Sequence, residues 1–412
     1  MHFRGRFLAQ AAAAVLGLGA VAGVAVIPAA ASDMSGNVVK LGVLTDMTGP
    51  YSDFSGNGSL VAIRMAVEDF GKTVKGVPIE IVSADHQNKA DIGVDIARRW
   101  YDTENVDAIF DISNSGVALA VMSLTKDKNK IVVLGGVSTT RATTDACTPN
   151  SIQYVYDATA LSNVIGKSLL KDGGDTWYFL TVDFAFGHGL EKATADLVTT
   201  SGGKVLGAVR HPLNTVDFSS YLLRAQSSDA KIIALANGGN DTVNAIKGAG
   251  EFGITRSGKQ KVASLLTFIS DVHSMGLSQA QGILLTEGFY WDANDETRAW
   301  SKRFFEKTKR MPTMIHAAMY SAVTHYLKSV DAVGNDDTTK VMAKMKSSPV
   351  NDVFTKNGHI RPDGLHVHDM YLMQVKSPTE SKYPWDYYNI RAVVPGREAF
   401  SAAVPGACSF VN

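Results

Sequence analysis

The sequence predicts an α/β protein of two Rossmann-like lobes with parallel central sheets, joined by a hinge. Three observations support this fold class. Short β-rich runs alternate with amphipathic helical runs, this alternation is interrupted around residues 153–157 and 284–291, and 412 residues with 45% hydrophobic content exceed what one domain usually needs. Strands separated by helices of this length form parallel sheets through right-handed crossovers, so two alternating series indicate two lobes.

The first series lies before the interruption at residue 153. Its predicted strands are 38–45, 77–84, 106–112 and 130–136, and its predicted helices are 57–71, 90–103 and one between the last two strands.

The second series lies between the two interruptions. Its predicted helices are 158–172, 187–200, 218–228 and 240–252, and its predicted strands are 175–183, 203–210, 230–237, 261–267 and 282–291. Helical stretches at 295–309, 313–334 and 337–347 follow, and then the hairpin-like pair NGHIRPDG and LHVHDMYLMQV.

The interruptions predict that the chain passes between the lobes more than once. We expect an N-terminal lobe of residues 32–155 plus 287–356, and a C-terminal lobe of residues 156–286 plus 357–376. A tail, residues 377–412, is expected to pack back on the body. Such an interleaved body can close a cleft around a small ligand.

Charge and composition exclude one functional class. The 40 basic and 40 acidic residues balance, and no block of like charge supplies the electrostatic surface that a nucleic-acid-binding protein needs.

Residues 1–31 have the pattern of a secretory signal peptide. Arg4 and Arg6 precede an apolar run over residues 7–27, and Pro28 is followed by three alanines. The alternative is a membrane anchor, but the Ala/Gly richness and the small residues at the exit favour cleavage after Ala31. Ser32 stands where a lipoprotein would have Cys, so we expect a protein that is free in the periplasm.

Cys147 and Cys408 are the two cysteines of the chain. Because an oxidising compartment permits disulfides, we predict that they form one that fastens the tail to the body; two free thiols are the alternative.

Five segments follow one another in a characteristic order: KLGVLTDMTGPYSDFSGNGSLVAIRMAVEDF, IVSADHQNKADIGVDIARRW, FDISNSGVALA with VVLGGVSTT, TVDFAFGHGLEKATADLV, and ALANGGNDTVNAIKGAGEFGI. Over about residues 38–375 the chain thereby resembles the leucine/isoleucine/valine-binding-protein family, the periplasmic solute-binding proteins of ABC importers. The resemblance implies the type I fold, whose two lobes are joined by a three-segment hinge. It also implies capture of one small solute and its delivery to an ABC permease in the inner membrane.

The resemblance places the ligand's carboxylate at two strand-to-helix turns of the first lobe. In this chain they contain Asn114 and Ser115, with Ser113 before them, and Gly136, Ser138 and Thr139. The physical reasoning agrees, because the carboxyl ends of parallel strands carry the ligand crevice and a helix N-terminus offers free N–H groups to an anion. An ordinary helix cap is the alternative for each polar residue of these turns.

The resemblance also implies aromatic residues on both sides of the cleft. Phe186 lies on the second lobe, with Phe184 and His188 nearby, and Tyr51 and Phe54 lie in the first loop. Three polar residues complete the predicted ligand-binding set on the second lobe: Asn237, Asp241 and Thr267.

One departure from the family concerns the ligand's ammonium group. The acid that often follows the strand matching VASLLTF is replaced here by Thr267-Phe268-Ile269, which favours a ligand with a carboxylate and no amine, such as an aromatic acid. Asp183, Asp241 and Glu287 remain possible acceptors for an ammonium group. A branched-chain or other hydrophobic amino acid is therefore the alternative ligand.

The sequence gives little support for an enzyme or for a metal site. The chain lacks a G-x-S-x-G elbow and a Walker loop, and GNGSLVA lacks the third glycine of a dinucleotide fingerprint, which disfavours a secreted hydrolase. We expect no catalytic residues and no cofactor. His359, His366, His368 and Asp369 are expected to lie on an exposed hairpin that binds no metal. The resulting prediction is a monomeric solute-binding protein, with a ligand-binding sensor subunit as the alternative.

Overall fold

A computed structural model describes residues 34–411, with the backbone alone for Arg256 and Ser257. The predicted signal peptide lies outside the described residues.

The strands are β1 Val39–Thr45, β2 Thr73–Val74, β3 Val77–Asp85, β4 Ala108–Asp111, β5 Ile131–Leu134, β6 Ser151–Gln153, β7 Thr176–Val182, β8 Lys204–His211, β9 Ile232–Ala236, β10 Lys261–Ser264, β11 Leu284–Glu287, β12 His359–Ile360, β13 His366–Val367, β14 Met370–Val375 and β15 Tyr388–Val394.

The helices follow the strands in the predicted alternation. They are α1 Gly56–Phe70, α2 Ala90–Asp102, α3 Ser115–Lys128, α4 Ala158–Lys171, α5 Ala185–Thr200, α6 Ser219–Gln226, α7 Asn240–Glu251, α8 Ile254–Ser257, α9 Ile269–Met275, α10 Leu277–Ala280, α11 Asp295–Thr308, α12 Met314–Val333, α13 Thr338–Ser347 and α14 Gly396–Ala399. Two 3-10 helices cover Ser35–Asn37 and Thr140–Thr143. Within residues 34–411, no helix is both long and apolar enough to span a membrane.

Two parallel sheets organise the body, as the sequence predicts. The first has the order β2-β3-β1-β4-β5-β6 and is parallel except at β2. The second has the order β10-β9-β7-β8 and is parallel throughout. Each parallel step except that from β5 to β6 follows an α-helical crossover, and the carboxyl ends of neighbouring parallel strands share an edge where a ligand crevice can form.

Two later parts of the chain contact elements that come earlier in the sequence. Helix α12 packs against α1. Strand β14 pairs antiparallel with β11 on one side and β15 on the other. One cluster of buried apolar side chains contains both Phe110 of β4 and Phe179 of β7, so the cores around the two sheets are continuous. The lobe bounds expected from the sequence stay a prediction.

The predicted disulfide is confirmed. Cys147 and Cys408 are bonded across 261 positions of sequence. The tail is also held by the hydroxyl of Ser401, which donates to Asp157 at 2.8 Å. The tail therefore pairs with β14 through its strand β15. The disulfide of Cys408 fastens it to the segment between β5 and β6.

Several short elements differ from the sequence prediction. The strand predicted over 261–267 ends at Ser264, because the Thr267 hydroxyl donates to the Ser264 Oγ and the chain then turns into α9. Strands β2, β6 and β15 and helices α8, α9, α10 and α14 were not predicted. All of them are seven residues or shorter, which is too short for a clear hydrophobic period.

Candidate ligand-binding site

The loop after β1 is held in shape by one carboxylate. The Asp46 Oδ1 accepts the Gly49 N–H at 2.7 Å, and its Oδ2 accepts the Tyr51 N–H at 2.9 Å and the Asn88 Nδ2 at 2.6 Å. Asp46 itself is buried, so these donors satisfy a charge that would otherwise be costly to bury. The loop that carries Tyr51 and Phe54 is thereby fixed over the carboxyl end of the first sheet.

The turn between β4 and α3 has an unusual backbone. Asp111 and Ile112 have φ values of 80° and 53°, a left-handed conformation that costs free energy in residues with side chains and often occurs at functional sites. Asn114 then caps α3, because its Oδ1 accepts the N–H groups of Gly116 and Val117 at 2.9 and 3.1 Å. Its Nδ2 donates to Asn88. Asn114 is thus occupied as a helix cap.

Ser115 is in a different situation from its neighbour. Its side chain is fully buried, and its Oγ has no hydrogen-bond partner among the described residues. The cap formed by Asn114 does not satisfy the first N–H of α3, which belongs to Ser115. Ser113 is not equivalent, because its Oγ already accepts the Asp46 N–H. Ser115 is therefore the residue of this turn with a hydroxyl available to a ligand.

The turn after β5 is the second predicted anchor. Gly136 packs closely against Ser113, since a Cβ atom there would lie 3.1 Å from the Ser113 Cα. Ser138 is fully buried and its Oγ has no partner within the described chain, although its carbonyl accepts the Ala158 N–H at 2.7 Å. Thr139 is buried and borders a surface cavity of about 810 Å³. Two hydroxyls, one on each turn, are thus left without a protein partner.

Gln153 supports this second turn. Its Nε2 donates to the carbonyls of Val137 at 2.8 Å and Tyr156 at 3.1 Å. One amide thereby ties the turn that carries Ser138 to the crossover segment that carries Tyr156. Tyr156 is 1% exposed and its hydroxyl has no partner among the described residues. The sequence analysis missed Tyr156, although the break in the alternation at 153–157 marks its position.

Aromatic side chains from both sheets meet at this edge. Tyr51 and Phe54 are buried, with ring centroids 5.1 Å apart. Phe186 approaches the Tyr51 ring edge-on at 6.5 Å, while Phe184 is only half-buried. The structure therefore brings together the three aromatic residues of the predicted set, and Phe268 is a fourth that the sequence analysis did not select.

The loops of the two sheets touch each other. The rings of Phe54 and Phe268 stack at 4.3 Å. Gly239, with φ of 59°, approaches so closely that a Cβ atom would lie 2.5 Å from the Pro50 carbonyl oxygen. The loops of the two sheets are thus in contact, and near them the hydroxyls of Tyr51, Ser115, Ser138 and Tyr156 are buried without hydrogen-bond partners among the described residues.

Three predicted residues on the second sheet have structural partners. Asn237 is buried between His211 and Thr242, with contacts of 3.1 and 2.7 Å. Asp241 accepts the N–H groups of Asn214 and Thr215, and the hydroxyl of Thr267 donates to Ser264. Burial raises the pKa of Asp241 to about 7. These three side chains shape the loops at the cleft.

The three acidic residues that could accept an ammonium group differ in their exposure and in their hydrogen-bond partners. Asp183 is exposed and bonded to His188 at 2.8 Å, and this bond lowers its pKa. Asp241 is used by the backbone, as described above. Glu287 at the end of β11 is 1% exposed, and neither carboxyl oxygen has a hydrogen-bond partner among the described residues. Burial raises the pKa of Glu287 well above its usual value, and the nearby Asp271 adds to this effect.

His366 and His368 are not exposed, contrary to the sequence analysis, whereas His359 and Asp369 are exposed. His366 and His368 are buried because β13 lies against the segment that follows β6. There their rings contact the carbonyls of Tyr154 and Val155 at 2.9 and 2.8 Å. No group of three potential metal ligands occurs among the described residues. His366 and His368 therefore hold β13 against the segment that follows β6.

Comparisons with known proteins agree with this architecture. A family model described as periplasmic binding protein matches residues 38–382. A curated relative, Leu/Ile/Val-binding protein homolog 6 of Brucella melitensis, is 25% identical over 384 residues, which cover 88% of this chain and 94% of the relative.

Solved structures show the same fold. A periplasmic binding protein from Burkholderia mallei is 50% identical with a TM-score of 0.89, covering 91% of this chain and 100% of its own. A branched-chain amino acid ABC transporter periplasmic ligand-binding protein from Burkholderia xenovorans is 41% identical with a TM-score of 0.79, covering 88% and 97%. A solute-binding protein from Rhodopseudomonas palustris HaA2, in complex with p-hydroxybenzoic acid, is 23% identical with a TM-score of 0.79 over 87% and 97% and shares the fold.

Proposed function

The chain belongs to the periplasmic binding protein family, whose members are solute-binding proteins of ABC transporters and not enzymes, and we propose that it captures a small aromatic or other hydrophobic carboxylate. The observation that carries this proposal is the pair of hydroxyls on Ser115 and Ser138, which are buried without hydrogen-bond partners among the described residues, at the sheet edge where the aromatic loops meet. We further propose that it works as a monomer in the periplasm, after cleavage of its signal peptide, and delivers the solute to an inner-membrane permease.

The carboxylate is assigned to the end of the site that faces the first sheet. Ser115 offers its hydroxyl and the first N–H of α3, and Ser138 offers a second hydroxyl. The positive end of the α3 dipole favours an anion at this position. Hydrogen bonds to a charged group contribute about 1.5–3 kcal/mol each, so three donors supply a large part of the roughly 8 kcal/mol of a micromolar complex.

The hydrophobic part of the solute is assigned to the enclosure formed by Tyr51, Phe54 and Phe186. Burying about 150 Å² of an aromatic ring contributes roughly 4 kcal/mol. Rings from both sheets meet here, so a flat aromatic group between them would contact both halves at once and favour closure. The Rhodopseudomonas palustris HaA2 protein provides an example of an aromatic acid bound by the same fold.

A branched-chain amino acid is the second candidate. The Brucella melitensis and Burkholderia xenovorans proteins are named for such solutes, and the buried Glu287 could accept an ammonium group. The acid that the family often carries after β10 is absent, and Thr267 in that region is bonded to Ser264. Because of this difference, we propose an aromatic acid as the ligand in preference to a branched-chain amino acid.

A thermal-shift panel separates the two candidates. The mature chain is mixed with benzoate, 4-hydroxybenzoate, leucine or valine. A ligand at one hundred times its Kd stabilises the folded state by about 2.7 kcal/mol, which a melting curve detects easily. We expect the aromatic acids to raise Tm. Stabilisation by leucine or valine, with none by the aromatic acids, would overturn the proposal in favour of the second candidate.

A further inference from the structure

An aromatic carboxylate bound as proposed leaves the buried carboxyl group of Glu287 without a role. Glu287 ends β11, the strand from which the chain leaves toward α11. The next residue, Gly288, donates its N–H to the sulfur of Met314 at the start of α12. Glu287 therefore lies where the chain leaves the sheet of β11, β14 and β15 toward the helices α11 and α12.

The direction of the Glu287 side chain follows from its neighbours on the strand. Thr286 faces α4, where its hydroxyl contacts the Leu161 carbonyl at 3.4 Å. Successive side chains of a strand point to opposite faces, so Glu287 points away from α4. Its surroundings on that side include the phenols of Tyr388 and Tyr156 and the carboxyl group of Asp271.

The polar groups around Glu287 are themselves unsatisfied. The hydroxyls of Tyr156 and Tyr388, like both oxygens of Glu287, are buried and lack hydrogen-bond partners among the described residues. Leaving one such group unpaired costs about 1–3 kcal/mol, and an unpaired buried charge costs more. Asp271 is already engaged, because it accepts the Phe268 N–H at 2.9 Å. The Tyr388 phenol is close enough to Glu287 to oppose the rise in its pKa, so a ligand group is needed chiefly for the Tyr156 hydroxyl and for the Glu287 oxygen that Tyr388 does not face.

We propose that Glu287, with Tyr156 beside it, binds a hydroxyl group that the solute carries in addition to its carboxylate. This inference rests on the proposed function and names the solute class more closely as hydroxylated aromatic acids. A neutral carboxyl group both donates and accepts hydrogen bonds, so it matches a hydroxyl group, which does the same. An ammonium group would require two charges, its own and that of Glu287, to be buried together, and a hydroxyl group avoids this desolvation cost.

Calorimetric titration with two matched pairs of probes tests the inference. 4-Hydroxybenzoate and benzoate differ by the hydroxyl, and leucine and 4-methylpentanoate differ by the ammonium group. We expect the wild-type protein to bind 4-hydroxybenzoate at least about tenfold more tightly than benzoate, which corresponds to one good hydrogen bond. Glu287→Gln keeps hydrogen-bonding capacity and should keep most of this preference. Glu287→Met removes that capacity and should reduce the preference to within about twofold.

The outcomes separate the inference from the proposed function. Equal wild-type affinities for 4-hydroxybenzoate and benzoate would leave the proposed function standing and overturn the role of Glu287. A preference for leucine over 4-methylpentanoate that Glu287→Met abolishes would show that the group binds an ammonium instead. Thr286→Val on the opposite face serves as the matched control and should keep the hydroxyl preference. If Glu287→Met keeps the preference and only lowers Tm, the carboxyl group is structural and the inference fails.

Discussion

Phe54 and Phe268 stack across the cleft, with ring centroids 4.3 Å apart and ring planes 20° apart. Phe54 belongs to the loop after β1 and Phe268 to the loop after β10, so this contact forms when the two halves close. An aromatic pair contributes about 0.5–1.5 kcal/mol beyond simple burial. Phe268→Leu should therefore weaken ligand binding by roughly 2- to 13-fold in calorimetric titration. Phe179→Leu, in the core beside Trp177, should instead lower Tm and leave the affinity of the folded protein unchanged.

Gly239→Ala should prevent full closure of the cleft. A Cβ atom at this position would lie 2.5 Å from the Pro50 carbonyl oxygen, whereas Gly202 has a similar positive φ and open space around it. Both substitutions strain the backbone, since both glycines have positive φ, but only at Gly239 does the new Cβ atom block the approach of the loops. We expect both variants to lose stability and Gly239→Ala alone to lose ligand affinity, by tenfold or more. Equal affinities in the two variants would show that closure does not require this contact.

Ser115→Ala and Ser138→Ala should each weaken binding of a carboxylate by about 10- to 100-fold, since a hydrogen bond to a charged group contributes about 1.5–3 kcal/mol. The Tm of the unliganded protein should change little, because neither hydroxyl has a partner within the described chain. Ser162→Ala is the matched control. Its hydroxyl bonds to the Ala158 carbonyl and to Thr194 at 2.7 Å each, so this variant should lose stability and keep its affinity. Serine variants that melt lower but bind normally would show that these hydroxyls are structural.

The bond between Cys147 and Cys408 should stabilise the whole body. Chain-entropy reasoning for a separation of 261 residues gives about 5.6 kcal/mol, and observed losses on removal of a disulfide are commonly about 2–5 kcal/mol. The double variant Cys147→Ala/Cys408→Ala should lose this free energy of unfolding in urea titration. The oxidised wild type should exceed the variant, and the wild type in dithiothreitol should match it. Coincident unfolding curves in all three samples would contradict the expected stabilisation.

Asp241 should make stability depend on pH between about 4 and 7. Burial raises the pKa of its carboxyl from 3.8 to about 7 in the folded state. In this window the folded protein keeps a proton that the unfolded chain has released, so the free energy of unfolding falls as the pH rises. Asp241→Asn removes this contribution while retaining an oxygen for the Thr215 N–H.

Urea titrations of the wild type and Asp241→Asn at several pH values measure this effect. The free energy of unfolding of the variant should rise relative to the wild type by up to about 1.4 kcal/mol per pH unit through the window, and the difference should then become constant. A difference that does not vary from pH 4 to pH 8 would contradict the raised pKa.

Much of the architecture could be predicted because it depends on local pattern. The strand of β1 and the helix α4 appear where alternating and helical hydrophobic periods place them. The tail strand β15 was not recognised, because three of its exposed side chains are apolar and it shows no alternation between a buried and a polar face. The cysteine pair was identified from the expected export of the chain, which required no structural information.

The sequence by itself determined the order of strands and helices, the two turns at the carboxyl ends of β4 and β5, and the family to which they belong. The tertiary structure alone decided which polar atoms in those turns are free. Asn114 and Ser115 are adjacent and equally plausible in sequence, yet Asn114 caps α3 and the Ser115 hydroxyl is unpaired. Glu287 likewise differs from Asp183 and Asp241 only through burial and partners that come from distant parts of the chain. Hydrogen-bond satisfaction depends on long-range packing, and a local sequence pattern does not contain that information.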